Sequence, residues 1–164
     1  MTPGAAAIAA AIPGWQARET APLVVAIDGY GASGKTTIAG EVASELDALT
    51  VHTDEYYEVR DPAGDPHPMA RYYRWEALRR WALEPGIAQR VPLILVEGVS
   101  SGSPALADLV TRTVFVDTPE AVRLERLHSR IAEEEWDEEW LAAERAYFAN
   151  RPPASFDLIV PGVA

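Results

Sequence analysis

Residues 23–37 read LVVAIDGYGASGKTT. The opening LVVAI is continuously apolar and rich in β-branched side chains, as a strand buried on both faces requires. Gly29-Tyr30-Gly31-Ala32-Ser33-Gly34-Lys35-Thr36 then satisfies G-x-x-x-x-G-K-[ST] at every fixed position. Such a loop turns several backbone N–H groups inward, and glycines reach the necessary angles at little steric cost. The helix that follows presents its positive end to the same point. Lys35 supplies a mobile cation for β and γ phosphates, and the Thr36 hydroxyl suits Mg²⁺. Thr37 opens the helix and completes the set of binding residues Gly29, Gly31, Ala32, Ser33, Gly34, Lys35, Thr36 and Thr37. The loop implies a nucleoside triphosphate with its magnesium.

Outward from the loop, further strand-like runs occur at 50–53, 93–96, 113–116 and 158–160, mostly separated by helical stretches. Continuous apolar strands alternating with helices imply an α/β fold in three layers, a parallel sheet with helices on both faces. Ile38, Val42 and Leu46 form the buried stripe of the helix after the loop. Thr118-Pro119-Glu120 starts another helix, with a capping hydroxyl, a proline at the first helical position and an acid at the positive end. A third is expected from Trp136 to Ala149, with Trp136, Trp140 and Tyr147 as core residues. The alanine-rich stretch 5–12 reads as a docked first helix. The segment from Glu55 to Met69 is rich in Pro, Gly and Asp and reads as a mobile loop.

The chain has 164 residues, no cysteine and a formal net charge of −11. That length fits a single domain over 1–164. The charge argues against nucleic acid and anionic membrane as partners. The absence of cysteine excludes disulfides and cysteine-ligated zinc. No apolar run approaches a membrane span, and no basic residue precedes the alanine-rich start as a signal peptide would need. A cytoplasmic protein, monomeric or homodimeric, is expected.

Three stretches indicate what the phosphate is given to. In VHTDEYY, residues 51–57, Asp54 stands at a strand end, where ligands collect in open α/β sheets. It could accept a proton from an attacking hydroxyl or hold magnesium through water. In LILVEG, residues 93–98, Glu97 ends an apolar strand and suits a second magnesium-side carboxylate. The expected metal-side residues are therefore Thr36, Asp54 and Glu97. Arg123, Arg126 and Arg130 share one helix face. Arg126 and Arg130 are candidates to clamp a transferring phosphoryl group, while Arg123 reads as a surface ion pair. The catalytic candidates are Lys35, Asp54, Arg126 and Arg130.

Together these residues resemble the uridine kinase-like branch of phosphate-loop nucleoside and nucleotide kinases. IDGYGASGKTTIA resembles its opening, TDEYY its second strand end, LILVEGV its third strand, and FVDTPEAVRLERLHSR its fourth strand and arginine helix. The resemblance implies sheet order 2-3-1-4-5, a lid at about 123–135 with Arg126 and Arg130 over the γ phosphate, and an acceptor-side loop at about 55–74. It also implies ATP and Mg²⁺ as cofactors and a small-molecule acceptor. The interval from Glu58 to Arg71 leaves little room for the β-hairpin that builds a nucleoside pocket. Two other readings stay open: a nucleotide kinase with a phosphate acceptor, and a non-catalytic nucleotide-binding regulator.

Overall fold

A computed structural model describes residues 1–19, 22–61, 67–130 and 138–163, without the side chain of Arg130. Five strands form one parallel sheet in the order β2-β3-β1-β4-β5: β1 Leu23–Asp28, β2 Leu49–His52, β3 Leu93–Glu97, β4 Arg112–Asp117 and β5 Leu158–Pro161. All residues of β1 and β3 are buried, which explains their unbroken apolar reading. The expected fold class, sheet order and all five strand positions hold.

Helix α1, Pro3–Gln16, and α2, Lys35–Leu46, cover one face. Thr2 caps α1 through its hydroxyl, and Glu41 of α2 accepts from both the Thr2 amide (2.6 Å) and hydroxyl (2.8 Å). Ala5, Ile8 and Ile12 pack into the layer that holds Ile38, Val42 and Val25. The alanine-rich start is thus a docked helix. No helix among the described residues is long and apolar enough to cross a membrane.

The opposite face carries α3, Trp75–Leu78, a π-helical turn Arg79–Leu83, and α4, Glu84–Ala88. It also carries α6, Glu138–Asn150, whose Tyr147 and Phe148 join the aromatic core with Phe115 and Phe156. Helix α5, Glu120–Arg130, follows β4. Trp136 and most of the acidic run at 131–137 lie outside the described residues.

The stretch after β2 differs from a plain loop. Thr53–Tyr56 form a 3₁₀ turn, and Tyr57 bridges antiparallel to Tyr73. Glu58 N–H donates to Tyr72 (3.1 Å), Arg60 N–H to Arg71 (2.9 Å), and Arg74 N–H to Tyr56 (2.9 Å). A short hairpin-like pairing therefore exists where the sequence left little room for one. It straddles the expected limits, and the rings of Tyr57, Tyr72, Tyr73 and Trp140 packed against one another hold it.

Candidate active site

The phosphate loop leaves β1 and enters α2 through two glycines in the left-handed half of backbone space. Gly29 has φ 148° and Gly34 φ 94°. A Cβ at Gly29 would lie 2.8 Å from the Val116 carbonyl oxygen, and one at Gly34 2.8 Å from Val163. Ala32 also has positive φ, 59°, a strained angle for a side-chain-bearing residue.

Lys35 is 7% exposed. Its ammonium donates to the carbonyls of Gly29 (2.9 Å) and Tyr30 (2.8 Å), so it is already stretched across the loop. Burial lowers its pKa, while the charges of Asp28, Glu97, Glu144 and Asp54 oppose that fall. The Thr36 hydroxyl donates to Glu97 Oε1 at 3.1 Å. Glu97 is buried, and the same oxygen lies 2.6 Å from His52 Nδ1. Sheet register explains this grouping, because Glu97 pairs with Ile27 on one side and His52 on the other.

A cavity of about 220 Å³ is lined by residues 31–37 with Asp54, Glu97, Gly98, Val99 and Trp140. Lys35, Thr36, Asp54 and Glu97 therefore meet in one space. Asp54 is exposed to it, at the mouth of the cradle. Gly29 contributes differently from the other loop residues: it shapes the turn and binds Lys35 but does not line the cavity. Among the described residues no group of three His, Asp or Glu side chains could cage a metal by itself. The donors here are a hydroxyl and two carboxylates, hard oxygens that fit a Mg²⁺ keeping several waters and bound jointly with phosphates.

The arginines of α5 need revision. Arg123 is no surface ion pair. It is 7% exposed, lies 4.4 Å over the Tyr30 ring and donates to the Gly31 carbonyl at 3.5 Å. Arg126 donates to the carbonyls of Ala32 (3.0 Å) and Val163. A role on the γ phosphate would require Arg126 to leave these carbonyls. The side chain of Arg130, and the lid beyond it, lie outside the described residues.

Two acids escaped the sequence reading. Asp28 is fully buried and accepts from the amides of Gly29 (2.8 Å), Ser100 (2.8 Å) and Gly102 (3.0 Å) and from the Tyr147 hydroxyl (2.7 Å). It ties the start of the phosphate loop to the turn after β3 and to α6. Burial raises its pKa against these hydrogen bonds. Glu144 is 3% exposed and accepts from the Gly31 amide at 2.6 Å. Burial likewise raises its pKa, with that amide and the Lys35 charge opposing. An acid placed directly before the first loop glycine was the available signal for Asp28. Glu144 offered only its spacing to Tyr147, three residues on. Trp140, expected in the core, is half-buried and forms part of the cavity wall.

No protein-family model matches the chain, and no curated protein does. Solved structures do. A possible uridine kinase from Bacillus stearothermophilus superposes with TM-score 0.67 at 17% identity, over 94% of this chain and 96% of that one. A sugar kinase from Janibacter sp. HTCC2649 gives 0.58 at 20% identity, over 85% and 84%. TT1252 from Thermus thermophilus gives 0.53 at 19%, over 88% and 91%. These likenesses show the fold alone: a five-stranded parallel α/β sheet in the order β2-β3-β1-β4-β5, shared with these structures.

Proposed function

We propose that this protein is a small-molecule kinase that moves the γ-phosphoryl group of ATP to an alcohol. One observation carries the reading: the phosphate loop and the strand-end carboxylates Asp54 and Glu97 share a single cavity. Structural neighbours named as a possible uridine kinase and a sugar kinase support it at the level of the fold.

Phosphoryl transfer asks little covalent chemistry of a protein, and positioning and charge neutralisation do most of the work. The amides of residues 32 and 34–36 and the Lys35 ammonium would cradle the phosphates. Thr36, Asp54 and Glu97 would hold Mg²⁺, which neutralises charge on the phosphate oxygens when bound. Asp54, exposed at the mouth, would accept the proton of the attacking hydroxyl. Trp140 and Val99 form the apolar wall against which the acceptor rests. Arg126 and Arg130 remain proposals for the transferring group, the former on release from its carbonyls.

The acceptor we infer is an alcohol without a phosphate of its own. A phosphate acceptor needs converging cations, and the candidates already have partners. Arg71 pairs with Glu139 (2.8 Å), Arg74 with Glu58 (2.9 Å), and Arg60 donates to the Tyr73 carbonyl (3.0 Å). Residues 62–66 and 131–137 contain no Lys or Arg. The test is ADP release with nucleosides, sugars, aminoglycosides and vitamins in turn, comparing wild type with Asp54→Asn. Acceptor-dependent ADP release that Asp54→Asn abolishes, with ATP affinity retained, supports the kinase. Unchanged output in Asp54→Asn, with ATP bound and no phosphorylated product, would favour a non-catalytic regulator.

A further inference from the structure

The peptide group of Gly31 is gripped on both sides by charged, buried residues from distant helices. Glu144 of α6, 113 positions away, accepts from the Gly31 amide at 2.6 Å. Arg123 of α5 reaches the Gly31 carbonyl at 3.5 Å while lying over the ring of Tyr30. Neither side chain lines the cavity, although Gly31 does. They act on the cavity wall from behind. The next residue, Ala32, carries the strained positive φ, and Arg126 holds its carbonyl. The outer lip of the phosphate loop, Gly31–Ala32, is thus fixed by side chains of α5 and α6.

The position of that lip follows from α6. Trp140 and Glu144 are four residues apart and share a helix face. Trp140 lines the cavity together with Gly31 and Asp54, so α6 meets both the loop and the space into which the acceptor would come. Tyr147 continues the same face and bonds Asp28. A shift of the lip would move the transferred phosphoryl group relative to the attacking oxygen. It would leave the amides of residues 33–36, nearer the helix, in place.

We propose that Glu144, with Arg123 opposite, is a positioning residue that sets the Gly31 peptide for phosphoryl transfer rather than for nucleotide binding. This inference rests on the kinase reading above. Three variants test it: Glu144→Ala, Glu144→Gln and Arg123→Gln. Turnover is compared with Mg·ADP affinity by calorimetry and with the Gly31 amide resonance by ¹⁵N NMR. The Glu144→Ala variant should lose about tenfold or more in kcat, keep Mg·ADP affinity close to wild type, and shift the Gly31 amide upfield as its short hydrogen bond disappears. The Glu144→Gln variant should recover most of the rate, because its amide oxygen can accept the same N–H. Should Glu144→Ala fail to fold, Arg123→Gln frees the carbonyl of the same residue and should reproduce the fall in kcat. Wild-type kcat in Glu144→Ala, an unmoved Gly31 resonance, or equal losses in kcat and Mg·ADP affinity would each overturn the proposal. If wild type itself binds no Mg·ATP, the kinase reading fails instead, and the Gly31 resonance still decides the contact.

Discussion

The phosphate loop, proposed as the donor side, and the segment around 56–74, proposed as the acceptor side, are built by different means. On the donor side, backbone and buried charge do the fixing. Lys35, Glu97 and Asp28 are each less than a tenth exposed, and hydrogen bonds join them to the phosphate loop, α2, the turn after β3 and α6. On the acceptor side, a short antiparallel pairing and a stack of rings carry exposed ion pairs such as Arg71–Glu139. Buried, fully bonded groups cannot change without large loss, whereas exposed pairs contribute only about 0–1 kcal/mol. The contrast suggests a constant phosphate machine joined to an acceptor wall free to vary.

The largest expected effect lies on the donor side. Replacing Lys35 by Ala removes the one cation among the described cavity-lining residues, and ADP release should fall by about 10²–10³-fold or more. Replacing Asp54 by Asn should lower acceptor-dependent turnover by about 10²–10⁴-fold while calorimetry still detects Mg·ATP. A matching loss on replacing Arg71 would erase the distinction between the two sides.

Next comes stability. Asp28→Ala strands three amides and the Tyr147 hydroxyl. At about 1–3 kcal/mol for each buried group left unpaired, the unfolding free energy should drop by about 3 kcal/mol or more, read from denaturant midpoints. Arg71→Gln should change it by under about 1 kcal/mol and lose even that in high salt.

The smallest effect is a slope. Asp28 and Glu144 both have pKa values raised by burial. Above the ordinary carboxylate range near pH 4, the native state then binds more protons than the unfolded chain, so their contribution to stability falls as pH rises. Glu41 and Asp108, whose pKa values are lowered by hydrogen bonds from Thr2 and Arg79, act in the opposite sense. The difference between wild type and Glu144→Gln isolates one group. Wild type should lose stability relative to the variant as the pH rises above about 4, by at most about 1.4 kcal/mol per pH unit. A difference that does not change with pH would show that Glu144 is not held in a desolvated site.

How legible each side was in the sequence follows from how it is built. The strand, loop and helix at 23–46 use local rules, so their positions and the roles of the loop glycines could be read directly. Asp54 and Glu97 were legible because strand ends gather at one edge of a parallel sheet. Sheet order came from resemblance, since nothing local records which strands are neighbours. Asp28 and Glu144 were passed over, because amides that satisfy them lie up to 113 residues away. Arg123 was misread for the same reason: its partners are a ring and a carbonyl in the loop, not a neighbouring acid. The pairing of 56–60 with 71–74 was hidden because Pro, Gly and Asp dominate the stretch between them.

Calorimetric titration of Mg·ATP into wild type and Lys35→Ala tests the central claim most directly. The account predicts a saturable heat at one nucleotide per chain in wild type and its loss or severe weakening in Lys35→Ala. No heat in wild type, or the same binding curve in both proteins, would contradict it.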